Sequence, residues 1–258
     1  MMPRKPVAIT NWKMAMTIAE SLAWVRDFQD MAGELLEVVD VIVCPPYTAL
    51  WAVAQELGDS PIQLGGQNIA PTADLARTGE ISATLLADVG CRRVLLGHWE
   101  VRRHLGDDDE AVNRKVHLAL ASGLSPILLI GEAHDDPSPV EVALDRQMAA
   151  VLAGCSAEQV ADMVFVYEPE GAIGVAAPAT PDHVAAGCRF IRGWLRDRWG
   201  DAVADGIRII YGGSVAPEYA AELLACPDVD GLGATRRGRD PASFAEITRQ
   251  IATIKQGG

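Results

Sequence analysis

Val164-Phe165-Val166-Tyr167-Glu168-Pro169 is a run of four bulky apolar residues that stops abruptly at a carboxylate and a proline. β-branched and aromatic residues without polar alternation read as a strand covered on both faces, the pattern of a parallel sheet. Further runs of this kind recur at Val7–Thr10, Val41–Cys44, Ile62–Gly65, Val94–Gly97, Ile127–Ile130, Ile207–Tyr211 and Val229–Gly233. Longer segments rich in Ala, Leu, Glu and Arg separate them. Ile18–Met31 sets Leu22, Val25 and Phe28 at helical spacing, and Ala111–Leu120 does the same with Val112, Val116 and Ala119. Thr17 ahead of Ile18-Ala19-Glu20, and Thr180-Pro181-Asp182 ahead of His183, read as helix starts.

Strands alternating with helices can close into a barrel or spread as an open doubly wound sheet. Eight runs in 258 residues leave roughly 32 residues per unit, the size of a βα repeat. No GxGxxG follows the first run, which disfavours the dinucleotide-binding sheet. The expected fold is therefore α/β, a single (β/α)8 barrel with residues 1–258 as one domain. No Pro/Gly/Ser linker, composition shift or low-complexity tract divides the chain.

Composition narrows the function. Lys and Arg number 22 against 35 Asp and Glu, a formal net charge of −13. Such a field attracts neither nucleic acid nor an anionic membrane. An anionic substrate must instead be held by a local trap of backbone amides and a few cations. The five cysteines are scattered, without CxxC or Cys/His ligand spacing, so free thiols in a reducing, cytoplasmic setting are expected rather than zinc or disulfides. The N-terminus has no apolar signal region, and no segment approaches the length of a membrane span. Asp107-Asp108-Asp109 and Asp135-Asp136-Pro137 read as solvated acidic loops rather than metal cradles.

In such a barrel the chemistry sits at the C-terminal strand ends. Asn11 and Lys13 follow the first run, and His98 and Glu100 follow the fourth. Glu168 follows the sixth, ahead of the small-residue stretch Glu170–Ala179, and reads as a base beneath a moving lid. Tyr211-Gly212-Gly213-Ser214-Val215 follows the seventh run. The eighth leads into Ala234-Thr235-Arg236-Arg237-Gly238, where hydroxyl, amide and guanidinium donors suit an anion. Each of these alone is an ordinary turn or surface residue. Together they place base, imidazole, cation and phosphate cradle around one rim. With no metal spacing and no cofactor fingerprint, the set suits proton transfer next to a carbonyl in a small phosphorylated substrate, with neither cofactor nor metal.

In this light the chain resembles the triosephosphate isomerase family, whose fold is the TIM barrel. The matching segments run in the family's order over nearly the whole chain: Asn11-Trp12-Lys13-Met14, Thr78-Gly79-Glu80-Ile81-Ser82, Gly97-His98 with Glu100, Gly131-Glu132, Tyr167-Glu168-Pro169 with Ala172-Ile173-Gly174, Tyr211-Gly212-Gly213-Ser214-Val215, and Asp230-Gly231. The resemblance implies that Glu168 is the base of an aldose–ketose phosphate isomerase and that His98, as neutral imidazole, polarises the carbonyl. It implies that Lys13 supplies positive charge, Asn11 orients the substrate and Glu100 supports them. Amides at Gly174 and Ser214 would hold phosphate, with Thr235 and Arg236 beside them, and Tyr211 would hold the closed lid. The loop around Thr78 would insert into a second copy, making a homodimer.

Departures from the family pattern set further expectations. Trp99 stands where the family has Ser and is expected to reshape the pocket. Glu100-Val101-Arg102 replaces Glu-Arg-Arg and is expected to remove a cation behind the site. The lid reads Pro169-Glu170-Gly171 and Val175-Ala176-Ala177-Pro178 instead of Pro-Val-Trp and Thr-Gly-Lys. It is expected to be less well latched, with Glu170 making the field less favourable to a dianion. Arg236 replaces a family glycine and is expected to act as a guanidinium clamp. These changes leave open an isomerase of a longer ketose phosphate such as L-erythrulose 1-phosphate, suggested by Glu222-Leu223-Leu224-Ala225-Cys226-Pro227, or a phosphate-ester-binding homologue with impaired catalysis. A Schiff-base aldolase using Lys13 is a more distant alternative.

Overall fold

The computed structural model describes residues 4–256, so the ends of the expected 1–258 domain lie outside the described residues. Its strands are β1 (Val7–Asn11), β2 (Asp40–Cys44), β3 (Gln63–Gly66), β4 (Arg93–Leu96), β5 (Ser125–Ile130), β6 (Val164–Tyr167), β7 (Arg208–Gly212) and β8 (Gly231–Ala234). Each pairs in parallel with the next, and β8 returns to β1, closing the barrel. The expected (β/α)8 architecture is the one observed. Strand ends differ from the sequence reading by a residue or two: β8 begins at Gly231, and the side chain of Asp230 just before it is held by Arg4 and Arg192 at the barrel's foot.

The lack of polar alternation has a direct cause. Val164 and Val166 point into the barrel with Ile9, Leu95, Ile127, Leu129 and Ile210. Phe165 and Tyr167 point outward, beneath the helices, with Leu96, Leu128, Ile130 and Ile209. Both faces are buried, so both are apolar. The same two-residue period carries past the last strand residue. Glu168 continues the inward series of Val164 and Val166, as Asn11 and Lys13 continue that of Ile9, and all of them line the cavity at the barrel mouth.

Register sets these ends at one level. Ile130 pairs with Tyr167, and Tyr167 with Tyr211. The ladder extends one step further through Glu168 N–H to Ile130 O at 2.8 Å and Trp12 N–H to Cys44 O at 3.0 Å. Outside the barrel, helix Ile18–Ala32 is fixed by a capping box between Thr17 and Glu20. Helix Pro181–Trp199 starts at the Thr180 cap with proline in its first turn, as expected.

The acidic loop at Asp107-Asp108-Asp109 is not the solvated face that the sequence suggests. Asp107 pairs with Lys115 at 2.5 Å, where the two side chains are only 7% and 2% exposed. Asp108 caps helix Asp109–Ala121, and Asp109 pairs with Arg102 at 2.7 Å. Asp135 and Asp136 are likewise taken up, by Arg103 and Arg146. All five cysteines are free. Among the described residues, no helix is long and apolar enough to cross a membrane.

Candidate active site

The barrel mouth opens into a cavity of about 460 Å³ lined by Asn11, Lys13, His98, Glu168, Gly174, Ser214, Thr235 and Arg236 among others. The sequence-designated residues from five separate strand ends thus meet in one place. Glu100 and Tyr211 do not line it. They act on its members, as described below. Thr78 is exposed on the loop that runs from β3 to helix Ala83–Asp88, and it does not reach this cavity.

Lys13 is held in an unusual backbone conformation, φ 53°. For a residue with a side chain that left-handed region costs on the order of 1 kcal/mol. Asn11 offsets it, its Oδ1 accepting from the Lys13 amide at 2.9 Å. Gln67 adds a second tie, Nε2 donating to the carbonyls of Lys13 at 2.8 Å and Cys44 at 3.0 Å. Nothing near Gln67 in the sequence signals this role, because its partners lie on other strand ends. The Lys13 ammonium makes an ion pair with Glu100.

His98 is the N-cap of helix Trp99–Leu105. Its Nδ1 accepts the Glu100 amide proton at 3.1 Å, which leaves the ring proton on Nε2. Nε2 faces Glu168 Oε1 at 3.5 Å. Both residues are buried, at 6% and 7% exposure. Burial, aided by Lys13 and opposed by Glu100, lowers the His98 pKa to about 4, so the ring is neutral near pH 7. Burial also pushes the Glu168 carboxyl up to about 8, while Lys13 pulls it the other way. The second Glu168 oxygen, Oε2, has no hydrogen-bond partner. A buried carboxylate with a free lone pair, opposite a neutral N–H, can take a proton from carbon while the imidazole polarises the adjacent oxygen.

The opposite wall binds the lid. Tyr211 Oη accepts from the Ala179 amide at 2.9 Å, and Ser214 Oγ donates to Val175 O at 2.8 Å. Arg236 Nη2 donates to that same carbonyl. Arg237 and Arg239 join Lys13 and Arg236 at the cavity, a local excess of cations on an acidic protein.

Two expectations are corrected. Trp99 does not reshape the cavity. As the first residue of its helix it turns away into a neighbouring pocket, with Arg102 and Arg103 each 5.5 Å over its ring. Arg102, the arginine of that motif which is retained beside Val101, has its side chain 8% exposed and donates to Gly97 O at 2.9 Å and to Asp109. Glu170 does not burden the site with a loose negative charge. Hydrogen bonds from Arg103 and the His134 amide lower its pKa to about 2, and its charge is matched by Arg103. Arg236 sits at the cavity rim with Nη2 on the Val175 carbonyl of the lid, a different partner from the phosphate to which the sequence reading assigned its guanidinium. His134, Asp135 and Glu170 bring metal-type donor atoms together, but Arg103 sits on both carboxylates.

The family model for triosephosphate isomerase matches residues 6–251. The chain belongs to the triosephosphate isomerase family. It is 43% identical to the triosephosphate isomerase of Chloroflexus aurantiacus over 246 residues, covering 95% of this chain and 98% of that protein. The enzyme of that name from Carboxydothermus hydrogenoformans is 42% identical over 248 residues, 95% of this chain and 98% of its own. That of Symbiobacterium thermophilum is 42% identical over 254 residues, 98% and 99%. The triosephosphate isomerase match thus extends over the barrel and every strand end that supplies the cavity.

Proposed function

We infer that this protein interconverts dihydroxyacetone phosphate and glyceraldehyde 3-phosphate through an enediolate, as an aldose–ketose isomerase. The observation that carries this reading is the buried pair Glu168 and His98, 3.5 Å apart at the mouth of a triosephosphate isomerase barrel. Glu168 removes a proton from the carbon next to the carbonyl. His98, donating from Nε2, stabilises the developing oxyanion and passes protons between the two oxygens. Lys13 adds fixed positive charge, Asn11 orients it, and Glu100 sets the imidazole tautomer and steadies the ammonium. Glu168 then returns its proton to the neighbouring carbon. No electron leaves the substrate, so the step calls for no redox cofactor.

The phosphate is assigned to Gly174, Ser214, Thr235 and Arg236, with Tyr211 securing the lid that keeps water from the enediolate. The alternatives of a longer ketose phosphate and of an impaired binding homologue find no support among the relatives, which carry the triosephosphate isomerase name. We further read the protein as a cytoplasmic homodimer, with the loop carrying Thr78 entering the partner. Fully exposed apolar side chains at Met14 (98%) and Leu75 (90%) support such a contact.

The test is turnover of glyceraldehyde 3-phosphate by purified protein, beside Glu168→Gln. Fast isomerisation lost by about 10³-fold in the variant supports the assignment of the base. Equal rates would contradict it.

A further inference from the structure

The first residue of the lid is tied to the segments after β4 and β5, and its later residues to the ends of β7 and β8. Glu170 accepts from Arg103 Nε and Nη2, both at 2.7 Å, and from the His134 amide at 2.9 Å. Its own amide donates to Glu132 O at 3.0 Å. Its side chain is only 15% exposed, although it lies on a loop. Every one of these partners belongs to the frame: Arg103 to the helix that His98 caps, Glu132 and His134 to the segment after β5. Further along, Ser214 and Arg236 hold Val175, and Tyr211 holds Ala179.

Arg103 reaches further. It lies 5.5 Å over the Trp99 ring and bonds Asp135 at 2.7 Å. Trp99 directly follows His98, and Glu170 is two residues after Glu168, with Pro169 fixing the backbone between them. A closed circuit therefore runs from His98 through Trp99, Arg103 and Glu170 back to Glu168, and its two ends face each other across 3.5 Å.

We propose that Trp99, Arg103 and Glu170 are positioning residues: they anchor the first hinge of the lid to the barrel and so fix the backbone from which Glu168 faces His98. Two departures from the family pattern then become one device. Tryptophan supplies the face on which Arg103 rests, and Glu170 supplies the carboxylate that it grips. The proposal rests on the isomerase reading and deepens it.

The experiment compares kcat, KM and the pH dependence of kcat/KM for wild type, Arg103→Ala, Glu170→Gln and Arg103→Lys. Circular dichroism checks that each is folded. The groups facing Glu168, namely His98, Lys13, Glu100 and Tyr211, are unaltered in every variant. Arg103→Ala and Glu170→Gln should lower kcat about tenfold with little change in KM, because the phosphate contacts are untouched. A base released toward water also loses its burial. The acid limb of kcat/KM, which reports the free enzyme, should move from about 8 down toward the substrate's own phosphate ionisation near pH ~6. Arg103→Lys, which keeps the charge without the fork, should fall between. Wild-type kcat in both disrupting variants would overturn the proposal, as would a loss of kcat with an unmoved acid limb. A wild-type protein without isomerase activity would instead overturn the isomerase reading beneath it.

Discussion

His98 and Glu168 are shifted by the same burial in opposite functional senses: the imidazole loses its proton at neutral pH and the carboxyl becomes a stronger base. The shifts carry a stability signature. Glu168 holds its proton more tightly when folded, so between about pH 4.5 and 8 the unfolded chain ionises first and stability falls as pH rises. For His98 the unfolded chain takes up a proton below 6.5 and the buried ring only near 4, so stability is lost as pH falls through that window. Glu168→Gln should therefore be more stable than wild type at pH 8, with a much smaller difference at pH 4.5. Urea denaturation at the two pH values checks this, and an equal difference at both would contradict it.

At the scale of elements, closely packed connections hold these side chains in place. An alanine Cβ at Gly131, after β5, would sit 2.0 Å from the Glu168 carbonyl oxygen. Gly131→Ala must push the segments after β5 and β6 apart, and should lower kcat by about 10²-fold by displacing the base. Steady-state kinetics on the folded variant measures this. Lys115, on helix Asp109–Ala121, is buried against Asp107 and Asn68. Lys115→Ala leaves a buried carboxylate unpaired and should cost about 3 kcal/mol in urea unfolding. These elements were legible in outline from sequence, since apolar runs and helix caps are local signals. The Asp107–Lys115 pair was not: the aspartates looked like a charge run, and only the packing of the helix on its own leading loop buries one of them.

Over the whole molecule, the two-residue strand period and the closure of the barrel explain why Asn11, Lys13, His98 and Glu168 could be located from sequence. All of them lie just past an apolar run, and the fold brings those ends to one rim. The direction of Trp99 and the partner of Glu170 could not be read, because Arg103 and Glu170 are 67 residues apart and meet only once the barrel closes. The proposed homodimer belongs to the same scale. Tyr47, Trp51 and Leu85 are exposed at 38%, 63% and 57%, adding to Met14 and Leu75. Sedimentation at micromolar concentration should give twice the 27.5 kDa chain mass, and Thr78→Arg should shift the protein toward monomer with lower activity. A wild-type monomer would contradict the dimer.

The isomerase reading rests on Glu168 moving a proton to and from the carbon beside a carbonyl. Its most direct measurement is exchange of solvent deuterium into dihydroxyacetone phosphate and glyceraldehyde 3-phosphate, followed by NMR in D2O. Rapid stereospecific incorporation at the carbon next to the carbonyl is expected with wild-type protein, and almost none with Glu168→Gln. Undiminished incorporation in that variant, or interconversion by the variant at the wild-type rate, would contradict the assignment of Glu168 as the base.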